Sequence, residues 1–126
     1  MKPIPRVLSL LALLCLLVPA LSPGQAATQE PSRYFTELPD LPLMPGMAEM
    51  PDAGLSFDKP EGRIVEVYAR GAGTADEVLR FYRRALPQLG WEAAGPARFR
   101  REGEVLDLEV ETAGGMVTLR CALHPE

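Results

Sequence analysis

The sequence predicts a small α+β domain with the order β-β-α-β-β-β, in which a twisted, largely antiparallel sheet has one helix packed on one face. Three patterns lead to this prediction. A stretch rich in β-branched residues lies at positions 63–70, an amphipathic helical pattern follows at 74–89, and two hairpin patterns with glycine-containing loops come after it. A chain of 126 residues is long enough for one such domain.

Two strands precede the helix. Residues 55–57 and residues 63–70 flank a turn in which Pro60 and Gly62 stand in an order typical of turns. Both faces of the second strand carry apolar side chains. We therefore expect that strand to be central in the sheet.

The helix begins at Thr74, because Glu77 three residues later completes a capping-box pattern. Pro87 is predicted to end or kink the helix, and Gly90 to stop it. Five apolar residues at three- and four-residue spacing form its predicted buried face: Val78, Phe81, Tyr82, Ala85 and Leu89.

Two hairpins complete the sheet, with strands at 97–101, 105–111 and 116–123, and residues 91–93 are a candidate for a further short strand. Two-residue loops at 102–103 and 114–115 set one register for both hairpins. The inward pairs are then all apolar: Phe99–Leu106, Val110–Leu119 and Leu108–Cys121. The outward pairs match in charge: Arg98–Asp107 and Glu109–Arg120. Because both faces agree, we expect this register and a buried Cys121.

The first 26 residues have the three parts of a signal peptide. Lys2 and Arg6 give a positive start, residues 7–21 are largely apolar, and Gly24-Gln25-Ala26 fits the small-x-small cleavage pattern. The apolar stretch of 15 residues is shorter than the roughly 20 needed to span a bilayer. We expect cleavage after Ala26, export, and no stable membrane insertion afterwards.

Cleavage would leave 11 basic and 17 acidic residues, a charge of −6. Such an acidic chain without a basic run is a poor match for nucleic acid or an anionic membrane. Cys121 would be its single cysteine, so no disulfide framework is expected. Lys59 would be its single lysine, and this preference for arginine favours a GC-rich, Gram-negative source and a periplasmic location.

Residues 27–53 are predicted to stand apart from the domain at 54–126. Residues 27–33 are interpreted as a flexible leader. Residues 34–50 are interpreted as an extended apolar segment on the domain surface, since five prolines between 31 and 51 exclude a helix or a sheet interior.

Met44, Met47 and Met50 form a regular M-x-x-M-x-x-M series in this segment. Thioethers are soft ligands that suit Cu(I), and three of them could form a trigonal metal site. The alternative is that these methionines only fill an apolar groove. No histidine or cysteine lies close to them in the sequence, which favours packing.

Residues for nucleophilic catalysis are scarce. His124 is the single histidine, and its odd spacing from Cys121 places the two side chains on opposite faces of a strand. Asp107, Glu109 and Glu111 alternate with apolar residues and are interpreted as a solvated outer face. We therefore predict no catalytic residue and no cofactor.

The chain also resembles a group of known proteins. The residues that carry the resemblance are Met44-Pro45-Gly46-Met47 and the later series Thr74, Val78, Phe81, Tyr82, Leu86, Leu89, Gly90 and Trp91. In these motifs it is similar to small exported proteobacterial domains of unknown function, which have a Pro-Gly segment, a strand, a helix with a central Phe-Tyr pair, Gly-Trp and a β-meander. The resemblance covers residues 41–124 and implies a fold and a compartment, with no functional residue to carry over.

The sequence thus favours a non-enzymatic periplasmic binding or interaction module whose partner is an unknown envelope protein or small ligand. Its expected partner-facing surfaces are the Pro/Met-rich segment and the charged outer face of the sheet. Copper handling through the three methionines is the first alternative. A small hydrolase is the second, and it would need a buried acid or histidine beside a pocket.

Overall fold

The computed structural model describes residues 33–126. The expected signal peptide and cleavage site, at residues 1–26, lie outside the described residues, as do residues 27–32 of the expected leader. Statements about the fold therefore concern residues 33–126.

The described chain forms one seven-stranded antiparallel sheet and one α-helix. The strands are β1 (Met47–Glu49), β2 (Leu55–Lys59), β3 (Gly62–Ala72), β4 (Glu92–Ala93), β5 (Arg98–Arg101), β6 (Glu104–Ala113) and β7 (Met116–Pro125), and the helix is α1 (Ala75–Gln88). Their order across the sheet is β1-β3-β7-β6-β5-β4, and β2 pairs with β3 on the same side as β1. The predicted class, an antiparallel sheet with one helix, is confirmed at this level.

Along the chain, the structure has two strands that the predicted order β-β-α-β-β-β does not include, β1 and β4. β1 is only three residues long and lies between Pro45 and Pro51, and a segment with so many prolines was not expected to contain a strand. It pairs with the far end of β3, where Gly71 permits a close approach. A Cβ atom on Gly71 would lie 2.5 Å from the carbonyl oxygen of Gly46. β4 coincides with the short strand suspected at residues 91–93.

The predicted register of both hairpins is confirmed. Phe99 lies opposite Leu106, and the two inward pairs of β6 and β7 are Val110–Leu119 and Leu108–Cys121. The charged pairs Arg98–Asp107 and Glu109–Arg120 form on the other face. Cys121 is fully buried, as expected from this register.

The capping box at the start of α1 is confirmed. The Thr74 hydroxyl accepts from the Glu77 amide at 3.3 Å, and the Glu77 carboxylate accepts from the Thr74 amide at 3.2 Å. The predicted buried face is only partly right. The fully buried helix residues are Val78, Tyr82 and Leu86, whereas Leu89 is exposed because it lies beyond the last helical residue.

The helix ends one residue after Pro87, through a Schellman motif centred on Gly90. Gly90 has φ of 86° and donates to the Pro87 carbonyl at 3.2 Å, and Trp91 donates to the Leu86 carbonyl at 3.1 Å. Trp91 and Leu86 are both buried, which is the apolar contact typical of this motif.

The segment before β1 belongs to the hydrophobic core, which the sequence did not predict. Its buried side chains are Phe35, Leu38, Leu41 and Leu43, and Met47 at the start of β1 is buried beside them. They share one cluster with the helix and with the inward residues of the sheet. The Tyr82 hydroxyl also donates to the Pro42 carbonyl at 2.8 Å, which ties the helix to this segment.

Candidate functional site

The outer face of the sheet consists of the residues that alternate with the core positions. In β3 and β7 the core side chains are buried, whereas Glu66, Tyr68, Arg120 and His124 between them are partly exposed. A shallow depression of about 600 Å³ runs over this face from Ile64 to the start of β5 and the middle of β6. It brings together the charged residues that the register places outward.

Arg120 lies at the centre of the outer face between two carboxylates. Its Nη2 atom is 2.5 Å from Glu66 Oε1, and its Nη1 atom is 2.9 Å from Glu109 Oε2. The Tyr68 hydroxyl also donates to Glu66 at 3.2 Å. The hydrogen bond from Arg120 holds the pKa of Glu66 below its usual value, and the hydrogen bond to Glu66 raises the pKa of Arg120.

A second charged group lies toward β5. Arg98 makes a two-point contact with Asp107, with Nε 2.6 Å from Oδ1 and Nη2 3.0 Å from Oδ2. His124 Nε2 lies 3.1 Å from the same carboxylate, and His124 Nδ1 lies 2.9 Å from the Pro125 carbonyl oxygen. The hydrogen bond from Arg98 is the main cause of the lowered pKa of Asp107.

These contacts place Cys121 and His124 on opposite sides of the sheet, as their spacing predicted. Cys121 is in the core, where burial raises the pKa of its thiol and keeps it in the neutral form. His124 is on the outer face beside Asp107. A thiol–imidazole pair therefore does not form between these two residues. Within residues 33–126, no group of three or more His, Cys, Asp or Glu side chains is arranged to hold a metal ion.

An apolar strip borders the charged part of the outer face, and we define it as Met50, Leu55, Phe57 and Ile64. Leu55 lies opposite Glu66 and Phe57 opposite Ile64, so these side chains share the outer face. Leu55 is 43 % exposed and Phe57 47 % exposed. The Met50 amide donates to the Tyr68 carbonyl at 2.8 Å, which extends the strip along β3. The Lys59 ammonium lies 5.6 Å from the centroid of the Phe57 ring.

Sequence reasoning found the charged pairs of this face but missed the apolar strip. Residues 55–57 were predicted as a strand without a statement about exposure. The signal that could have found the strip is the pairing of Leu55 and Phe57 with the outward positions of β3, since Ile64 and Glu66 alternate with the core residues Val65 and Val67. Paired residues lie on the same face of a sheet.

Comparison with known proteins gave no match to a family model, a curated protein or a solved structure. Among residues 33–126, no helix has the length and apolar character needed to cross a membrane.

The three methionines of the candidate copper site have different surroundings. Met47 is buried beside Gly71, Met44 is partly buried, and Met50 is 37 % exposed. Met44 also lines a mainly apolar groove beside Phe81 and Ala85 on the exposed side of the helix. Met47 and Met50 are backbone neighbours of Gly71 and Tyr68, which are three residues apart on β3, or about 10 Å along a strand.

Arg101 connects the segment before β1 to the end of the helix. It forms an ion pair with Asp40, donates to the Leu89 carbonyl at 3.1 Å, and lies 4.3 Å from the centroid of the Trp91 ring. This cluster accounts for the position of Trp91, which packs on the helix end. It is a structural contact between elements that are distant in sequence.

Proposed function

We propose that this chain is a non-enzymatic binding or interaction module of a Gram-negative periplasm, and that it binds its partner through the outer face of the sheet. The partner is an envelope protein or a small ligand. One observation carries the proposal: Leu55 and Phe57 are both about half exposed on the same face as the paired charges. In this proposal the helix α1 covers the inner face of the sheet and leaves the outer face available to the partner.

The chemistry of the outer face resembles that of a protein–protein interface. Such interfaces combine apolar and polar contacts, aromatic side chains are enriched in them, and a few residues carry most of the binding free energy. Phe57 and Leu55 supply the apolar part, and Lys59 and the Glu66–Arg120 pair supply polar neighbours. Because Arg120 is already held by two carboxylates, its guanidinium is fixed in place before binding.

The segment before β1 contributes less surface than its sequence suggested. Four of its apolar residues, together with Met47, are in the core and are not available to a partner. Of the two surfaces expected from the sequence, the outer face therefore has the stronger support. The resemblance to small exported domains supports the compartment in this proposal. Copper handling through Met44, Met47 and Met50 is a separate alternative, which is tested by measuring Cu(I) binding to the mature chain.

The test is affinity capture from envelope extract with mass spectrometry. The bait is the mature chain, either wild type or with Leu55→Ser and Phe57→Ser together. The matched control is Leu89→Ser, since Leu89 is 40 % exposed but lies at the end of the helix. We expect a specific partner with the wild type and the control and its loss with the double variant. Equal capture by the double variant would place the binding surface elsewhere.

A further inference from the structure

The strand β2 has an unpaired edge. It bonds to β3 on one side, and all five of its residues are exposed. Within residues 33–126, its backbone makes no hydrogen bond outside the ladder with β3. An exposed edge strand presents free N–H and C=O groups that pair readily with another strand. The neighbouring strand β1 is in contact with the segment before it, since the Glu49 carboxylate accepts from the amide and hydroxyl of Thr36.

The turn between β2 and β3 determines which backbone groups face outward. Lys59 and Gly62 are the last pair before a two-residue loop, and such a closing pair is hydrogen-bonded. Bonded pairs alternate in an antiparallel ladder, so Phe57 and Leu55 also bond to β3. The Glu66 carbonyl oxygen lies 2.8 Å from where a Cβ of Gly54 would be, so it faces the β2 side of β3, which agrees with this alternation. Ser56 and Asp58 therefore point their backbone groups away from the sheet.

This edge is complementary to a second copy of itself. β2 has five residues, and Phe57 is at its centre. Pro60 limits the strand at one end, and the 3-10 turn Pro51–Ala53 limits it at the other. A two-fold axis through Phe57 gives full overlap of two antiparallel β2 strands. It also places Ser56 of each copy opposite Asp58 of the other, so both outward-facing residues form hydrogen-bonded pairs.

The side chains are compatible with the same arrangement. The two Phe57 rings are opposite each other in a non-hydrogen-bonded pair, in which cross-strand side chains are closest, and aromatic pairs of this kind are favourable. The Ser56 hydroxyl of one copy can donate to the Asp58 carboxylate of the other. Leu55 lies opposite Lys59, whose aliphatic stem can cover it while its ammonium stays in water.

We propose that two copies of this chain associate edge to edge through β2, antiparallel, with the two-fold axis at Phe57. This dimer rests on the proposed function, because it uses Leu55 and Phe57 of the apolar strip. A second copy of the chain is then one partner of that surface. Edge pairing joins the two outer faces into one continuous sheet face and leaves the Glu66–Arg120 and Arg98–Asp107 pairs open. A further partner can then bind the joined face.

Disulfide crosslinking tests the axis directly. A non-hydrogen-bonded pair has Cα atoms about 4.5 Å apart, within the range of about 4.4–6.8 Å that a disulfide spans. Mature Phe57→Cys protein, treated with oxidised glutathione, is expected to form a covalent dimer. Leu55→Cys and Lys59→Cys are not expected to do so alone, but their mixture should crosslink. The wild type controls for Cys121, which is buried.

Light scattering over a range of protein concentrations provides the second measurement. The average mass of the wild type is expected to rise toward twice the monomer mass as the protein concentration increases. Ser56→Pro is expected to stay monomeric, because proline removes an outward N–H and leaves the hydrogen bonds between β2 and β3 intact. A wild type that is monomeric throughout, or Leu55→Cys crosslinking alone as well as Phe57→Cys does, would overturn the proposal. Failure of the dimer alone leaves capture of an envelope partner intact, so the two proposals fail separately.

Discussion

Glu66 on β3 and Arg120 on β7 form a two-point ion pair at the centre of the outer face, with the shorter contact at 2.5 Å. The pair joins two neighbouring strands whose other sides contact different elements, since β3 also pairs with β1 and β2 and β7 also pairs with β6. Both side chains are partly exposed, so solvent screens their attraction and the net contribution to stability is small.

The stability of the protein is expected to fall in acid partly because of Glu66. Its pKa in the folded chain is lowered by the hydrogen bond from Arg120, so the folded state favours the charged form. The stabilisation is present above the ordinary glutamate pKa, about 4.3, and is lost as the pH falls through the lower folded value. Between neutral pH and about pH 3, the free energy of unfolding in urea should fall less in Glu66→Gln than in the wild type. The same acid slope in both proteins would contradict this assignment.

The thiol of Cys121 is expected to be unreactive in the native protein. It is fully buried opposite Leu108, and burial raises its pKa, so the nucleophilic thiolate is disfavoured. A thiol reagent should label the mature chain only after denaturation, as measured by intact mass. Rapid labelling of the folded protein would mean that the register of β6 and β7 is wrong.

Thr74→Ala is expected to destabilise the protein by about 0.5–2 kcal/mol, because it removes the hydroxyl that accepts from the Glu77 amide. The free energy of unfolding in urea is the measurement. Thr74→Ser keeps the hydroxyl and is the matched control. An unfolding midpoint that does not change in Thr74→Ala would show that the cap contributes nothing to stability.

Replacing Met44, Met47 and Met50 by leucine separates packing from copper binding. If the methionines pack, the triple variant should fold with a loss of under about 1.5 kcal/mol per site, since leucine conserves volume and hydrophobicity. We expect this outcome, because Met47 is buried and Met50 is exposed. Anaerobic competition against a Cu(I) chelator is the measurement. Tight one-to-one Cu(I) binding that disappears in the triple variant would reverse the ranking of the two functions.

The sequence predicted the hairpins well because two independent patterns agreed there. The alternation of Leu106, Leu108 and Val110 with charged residues and the glycine-containing loops select the same register. The helix start was equally predictable, since the capping box is a local interaction between two residues close in sequence. Both features depend on short-range rules, which a single sequence displays directly.

The remaining features depend on contacts that are distant in sequence. Phe35 and Leu38 lie in the core because the segment before β1 packs against the helix, and prolines give no periodic signal for this. The exposure of Leu55 and Phe57 depends on β2 being an edge strand. Alternation alone does not distinguish an exposed edge from a half-buried strand. The charged half of the candidate site was therefore predictable, and its apolar half was not.

The central claim is that the outer face binds the partner, and the most direct measurement is the affinity of the captured partner for matched variants. Isothermal titration should give at least tenfold weaker binding for Leu55→Ser with Phe57→Ser than for the wild type, since an anchor residue is typically worth more than about 1.4 kcal/mol. Leu89→Ser should bind as the wild type does. An unchanged affinity in the double variant, with weakened binding in Leu89→Ser, would contradict the account.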